Sequence, residues 1–284
     1  MTVRTLLRRW LHPIRPAEQH TAFVRACLPA NKDGARDLDT WLALVGGPVA
    51  LLAPRNPFKQ NLPALAYAIE QRGEVAPPAL RKVLGFTEIV EPMRAERYLA
   101  IVDRLSELMT AAALAGFLGG DAAAALYAYP KVEARHIAGL TIVTPAQSLP
   151  AVRALCESEG FRQARTLDYR LELKAESGAR ALITDRLFPS DSGRLVEDLL
   201  AGQPGGLPLL PRHLLFIHSC IAGYPPIDAR HAPAMIDAAL LAPLLTPEDW
   251  RAVVSALSHA RREPLLTALR YLRDALDVSI PLSV

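Results

Sequence analysis

The hydrophobic period changes twice along this chain, and that change limits the folds open to it. From Asp37 to about residue 116, apolar residues recur at helical spacing; Tyr98, Ile101, Val102, Leu105, Leu108 and Met109 form one such stripe. In the middle of the chain the period shortens. Gly139-Leu-Thr-Ile-Val-Thr is a short apolar run bounded by Gly139 and Pro145, which is the pattern of a buried strand. Tyr169-Arg-Leu-Glu-Leu-Lys alternates apolar and polar residues, Gly178 makes a turn, and Ala179 to Asp185 supplies the second strand of a hairpin. From Pro211 onward the helical spacing returns. Strands gathered between two helical stretches imply an α+β fold, a small α/β block flanked by N-terminal and C-terminal helical regions.

The punctuation of the chain places the boundaries. Residues 1–34 form a basic N-terminal segment, 35–116 a helical region, 117–190 the α/β core and 191–284 a second helical region. Helices are predicted from Asp37 to a stop at Gly46-Gly47-Pro48, from Asn61 to Arg72, from Ala79 to Leu84 behind Pro77-Pro78, and from about Pro92 to Ala115. An Ala-rich helix follows the turn at Gly119-Gly120, and an amphipathic helix runs from Leu149 to Gly160. The C-terminal candidates are a short helix from Leu195 to Leu200, then Arg212 to Ala222, Ala232 to Leu241, Pro247 to Ala260 and Pro264 to Leu276.

Composition narrows the function. Half of the residues are hydrophobic (51 %) and the formal net charge is only +3, so the chain can bury a core and gives no strong nucleic-acid signal. Three widely spaced cysteines (Cys27, Cys156, Cys220) with no ligand-type spacing argue against a disulfide framework and a zinc site, and point to a reducing, cytoplasmic setting. No stretch reads as a membrane span or a cleavable leader. Arg4, Arg8 and Arg9 with Leu6, Leu7, Trp10 and Leu11 have the pattern of a short membrane-surface helix, against the simpler reading of a docked N-terminal helix.

Leu118-Gly-Gly-Asp-Ala-Ala-Ala-Ala-Leu-Tyr-Ala-Tyr-Pro resembles the nucleotide-binding turn of the nucleotidyltransferase superfamily. The stretch from Gly139 to Phe161 is similar to the strand, loop and helix that follow in a bacterial nucleotidyltransferase family. His213-Leu-Leu-Phe-Ile-His-Ser-Cys and Met235-Ile-Asp-Ala-Ala-Leu-Leu are similar to that family's helical tail, and the likeness spans roughly residues 35–280. The resemblance implies a glycine turn against the phosphates of a nucleotide. It also implies an Asp-x-Asp pair on one strand and a third acid on a later strand, together holding two Mg²⁺ for phosphoryl displacement.

The glycines are present as Gly119 and Gly120, but the acids are missing. With the strand register set by Ile142 and Val143, the Asp-x-Asp positions fall on Ala138 and Leu140; shifted registers give Ile137 and Gly139, or Gly139 and Thr141. The third acid falls near Leu182. Asp121 and Asp185 are the remaining carboxylate candidates for catalysis, with Asp121 read first as a helix cap and Asp185 as a strand-end surface residue. Gly119, Gly120, Arg135 and His136 are the candidate nucleotide-binding residues, the last two as anion partners in a loop before the strand. No metal ligand set is assigned. His213 and His218, five residues apart, are poorly spaced to ligate jointly; His218 reads as a packed helix residue in an apolar run with Cys220, and those two do not face each other as a nucleophile and base.

Three functions follow from these readings. The first is a nucleotidyltransferase-fold pseudoenzyme that has lost metal-dependent transfer and serves as a binding or scaffold partner of another protein in a bacterial pathway. The alternative is an active enzyme moving NMP from an NTP to a hydroxyl with displaced carboxylates such as Asp121, Asp185 or Asp191, in which case Mg²⁺ and NTP are required. The third is a plain helical interaction protein. A helix-only structure would favour that last reading.

Overall fold

A five-stranded mixed sheet lies at the centre of the computed structural model, which describes residues 18–52, 56, 58–167, 170–188, 193–225, 230–256 and 259–281. The strands are β1 (Phe117–Gly119), β2 (Leu140–Val143), β3 (Phe161–Leu167), β4 (Arg170–Ala175) and β5 (Arg180–Thr184), in spatial order β1-β2-β5-β4-β3. The hairpin read from the sequence is β4–β5, closed at Gly178, whose φ of 84° suits glycine. β2 and β5 run parallel, with Thr141 beside Leu182 and Val143 beside Thr184. The crossover joining them contains the helix Leu149–Ser158, β3 and β4. The outer edge of β1 is covered by residues 206–209, through bonds such as Leu118 N–H to the Pro208 carbonyl at 2.8 Å.

Eleven α-helices fall among the described residues. The N-terminal set is α1 (Glu18–Ala26), α2 (Gly34–Val45), α3 (Leu62–Gln71) and α4 (Pro78–Ala111). Then come α5 (Gly120–Ala128) and α6 (Leu149–Ser158). The C-terminal set is α7 (Arg194–Leu200), α8 (Arg212–Ala222), α9 (Ala232–Leu241), α10 (Pro247–Ser255) and α11 (His259–Asp274). Local signals account for several ends. Gly46 closes α2 in the left-handed region at φ 80°, and Thr246 with Asp249 forms a reciprocal capping box at the start of α10.

The structure corrects some sequence expectations. The two helices read over 79–84 and 92–115 are one 34-residue helix, because Pro92 sits on an exposed position where the carbonyl it leaves unpaired can face water. α1 lies inside the segment read only as basic. Its Phe23 packs against Trp41 and Phe58 at 4.6 and 4.5 Å between ring centroids. β1 and β3 were not read from the sequence. Pro264 lies within α11 instead of opening it. Leu6 to Leu11, Tyr169 and Asp191 lie outside the described residues.

Two cores hold the molecule together. The larger joins the N-terminal and C-terminal helical regions, from Phe23, Trp41 and Leu65 to Phe216, Met235, Leu265 and Leu272. The second fills the space between one sheet face and helices α4 and α6, with Leu140, Ile142 and Ile183 against Tyr98, Leu105, Met109, Val152 and Cys156. α5 passes between them. Ala123 and Ala124 face the first core while Ala122 and Ala125 face the second. A helix buried on both sides needs short side chains, which is the physical content of the alanine run.

Candidate functional site

The turn between β1 and α5 is built by glycine for two reasons. Gly120 has φ 62°, in the left-handed region, and a Cβ there would stand 2.5 Å from the Thr141 hydroxyl. Gly119 is the N-cap of α5; among the described residues no side chain caps that helix, and Asp121 places a carboxylate in its first turn.

Two adjoining cavities, of about 380 and 510 Å³, open over this turn, and they share Gly120, Thr141, Leu182 and His218. One wall is the sheet face opposite the second core, and α8 closes the other side with His218, Ile221 and Ala222. Arg170 and Arg186 line the smaller lobe; Glu172, Lys174, Arg180 and Asp121 line the larger. Four basic side chains and two carboxylates line the lobes; Arg186 is paired with Asp185 at 3.8 Å, and Lys174 and Arg180 are exposed. Arg170, Glu172 and Lys174 share a sheet face because they alternate along β4, opposite Thr184, Leu182 and Arg180 of β5.

The strand register decides which positions face the glycine turn. Leu140 and Ile142 are buried in the second core, so the pairing of Ala138 with Leu140 is not the one turned to the cleft. Thr141 is the β2 side chain against the turn, and Gly139 is the position two residues before it. Gly139 lies close to Arg180, where a Cβ would meet the Arg180 carbonyl oxygen at 3.2 Å. On β5, Leu182 stands beside Thr141 and lines both lobes. Around the turn the fold therefore presents Gly139, Thr141 and Leu182. Among the described residues there is no cluster of three or more His, Cys, Asp or Glu side chains able to hold a metal ion.

Asp121 and Arg135 come together, but in a structural network. Arg135 is buried; its Nε and Nη2 bind both oxygens of Asp237 at 2.8 to 3.1 Å, and Nη2 also reaches Asp121 Oδ1 at 2.8 Å. Its Nη1 donates to the His136 carbonyl at 2.6 Å, and Tyr129 donates its hydroxyl to Asp237 at 2.8 Å. The second Asp121 oxygen accepts the Ala138 N–H at 3.0 Å, so Asp121 ties the start of β2 to the glycine turn and does not cap α5. Burial opposes the Arg135 charge, but Asp121 and Asp237 outweigh it and hold the guanidinium protonated. Burial also pushes the Tyr129 phenol well up, reinforced by the neighbouring Asp237.

His136 is likewise engaged, with Nδ1 3.0 Å from Glu91 Oε1. Asp185 follows β5 with its side chain mostly enclosed, 3.8 Å from the Arg186 Nε, and does not line either lobe. The three cysteines are buried free thiols; burial pushes all of them up, Cys156 to about 12, so none is a ready nucleophile or metal ligand. His213 pairs with Asp249 at 3.3 Å, away from the cleft.

Sequence reasoning did not single out the cleft residues Arg170, Lys174, Arg180 and Arg186, nor His218 as a cleft residue. The signal was available for the first three, since they alternate on strands read from the sequence, but only the strand order, with β5 beside β2 and β4 beside β5, brings them to the turn. Burial lowers the His218 pKa and holds its imidazole neutral, with its ring 6.4 Å from that of Phe188. No known family model matches the sequence, and no curated protein does.

Proposed function

We propose that this protein has a nucleotidyltransferase-like fold without metal-dependent nucleotidyl transfer, and that its cleft binds a phosphate-bearing anion, a nucleotide by the family resemblance, through basic side chains. In this reading it serves its pathway as a binding or scaffold partner. The observation that carries it is the trio Gly139, Thr141 and Leu182 around the glycine turn, where the resemblance calls for three carboxylates. Glycine, a lone hydroxyl and an alkyl group do not hold a hard divalent cation. The glycine turn and the exposed Lys174 and Arg180 on the cleft wall favour an anion.

The displaced-carboxylate alternative finds less support. Both Asp121 oxygens accept hydrogen bonds within the protein, and Asp185 lies off the cleft. The test is incorporation of labelled nucleotide from ATP, GTP, CTP or UTP with Mg²⁺ or Mn²⁺ present, into the protein itself or an added acceptor. The expected result is no incorporation. Metal-dependent incorporation would overturn the reading.

A further inference from the structure

Helix α4 carries two apolar stripes, and its own core uses only one. Leu80, Val83, Leu84, Thr87, Glu91, Ala95, Tyr98, Val102, Leu105 and Met109 are buried against the rest of the protein. On another side of the same helix Phe86, Ile89 and Met93 stand 68 %, 68 % and 63 % exposed. Scattered exposed apolar residues are ordinary, but three large ones in register on one helix are not. The exposed positions Ala79, Lys82, Phe86, Ile89, Met93, Glu96 and Ala100 step by three and four residues in strict alternation. That is the spacing of a coiled-coil seam, sustained over ~30 Å of helix.

We propose that this seam is covered by a second copy of the chain, packed antiparallel about a two-fold axis near Ile89. The charges select the occupant and its direction. Lys82 lies seven residues before Ile89 and Glu96 seven residues after it, and both are exposed. An antiparallel copy sets Lys82 beside the partner's Glu96 and repeats the pair at the other end, as an isologous interface requires. A parallel copy would set like charges together. Gly85, where a Cβ would touch nothing within 4 Å, leaves room on the same face for the long Met93 side chain of the partner. This inference is independent of the reading of the cleft, which lies on the other side of the sheet from α4.

The test is sedimentation velocity on the full chain from low micromolar to the highest attainable concentration. The wild type is expected to show a monomer–dimer equilibrium. Ile89→Asp, an exposed substitution whose folding is checked by circular dichroism, is expected to be monomeric throughout. Lys82→Glu and Glu96→Lys are each expected to weaken the dimer about tenfold, because each turns two symmetry-related attractions into repulsions. The double variant, with the charges exchanged, is expected to restore it. A wild type that stays monomeric, a dimer indifferent to Ile89→Asp, or a double variant as weak as the single ones would each overturn the proposal.

Discussion

Arg135 and the arginines of the cleft look alike in the sequence, yet they sit in opposite surroundings. Arg135 is buried among Asp237, Asp121 and a backbone carbonyl, and its donors are matched by acceptors of this same chain. Arg170, Lys174, Arg180 and Arg186 line an open cleft that holds more basic groups than carboxylates. A guanidinium held in place by Asp237 and Asp121 organises the fold, whereas Lys174 and Arg180 are exposed on the cleft wall. The difference lies in the neighbours, and those neighbours come from distant parts of the chain.

The largest effect is expected at Arg135. Arg135→Ala leaves Asp237 buried without its counter-charge, and should cost about 3–5 kcal/mol in a denaturant titration. A loss below about 1 kcal/mol would mean that the network is not structural. Gly120→Ala should come next, at about 1–3 kcal/mol, since it combines a left-handed φ with a close approach to the Thr141 hydroxyl. Thr141→Ala in the same chain should recover part of that loss and leave the φ strain, which a double-mutant cycle would separate. Tyr129→Phe removes one hydrogen bond to Asp237 and should cost about 1 kcal/mol. Lys174→Glu and Arg180→Glu, both exposed, should change stability by no more than about 0.5 kcal/mol while weakening any anion held in the cleft.

His218 adds a pH signature from the cleft side. Its folded pKa is lowered by burial, so between the folded and unfolded values the unfolded chain binds more protons. Stability should therefore fall as pH drops below about 6.5, the ordinary histidine value, toward the lower folded value. His218→Gln should flatten that part of the stability–pH curve, read from thermal melts at several pH values. An unchanged slope would mean that the ring is not desolvated.

Most of the helices and the central hairpin were legible, because local periodicity and capping residues mark them. The α+β class with helical flanks follows from the same signals. β3 was not legible, and its burial explains why. Residues 162–166 are all exposed on an edge strand, so Phe-Arg-Gln-Ala-Arg-Thr-Leu carries no apolar alternation. β1 is three residues long, too short to have a period, and gains its place from pairing with β2. The continuity of α4 through Pro92 depends on that position facing outward, which the sequence alone does not reveal. The site was partly legible. The turn at Gly119 and Gly120 could be read directly, but Arg135 meets Asp237 across 102 residues, and no local pattern encodes that meeting.

Whether the cleft takes a phosphate-bearing anion by side-chain charge and not by metal is decided by following the melting temperature during titration with ATP, GTP, CTP and UTP, in Mg²⁺ and again in EDTA. At a hundred times its dissociation constant a ligand stabilises by ~2.7 kcal/mol, enough to move the melting temperature clearly. A shift of similar size is expected in both conditions with at least one nucleotide, reduced by Lys174→Glu and Arg180→Glu. A shift that requires Mg²⁺, or no shift with any nucleotide, would contradict it.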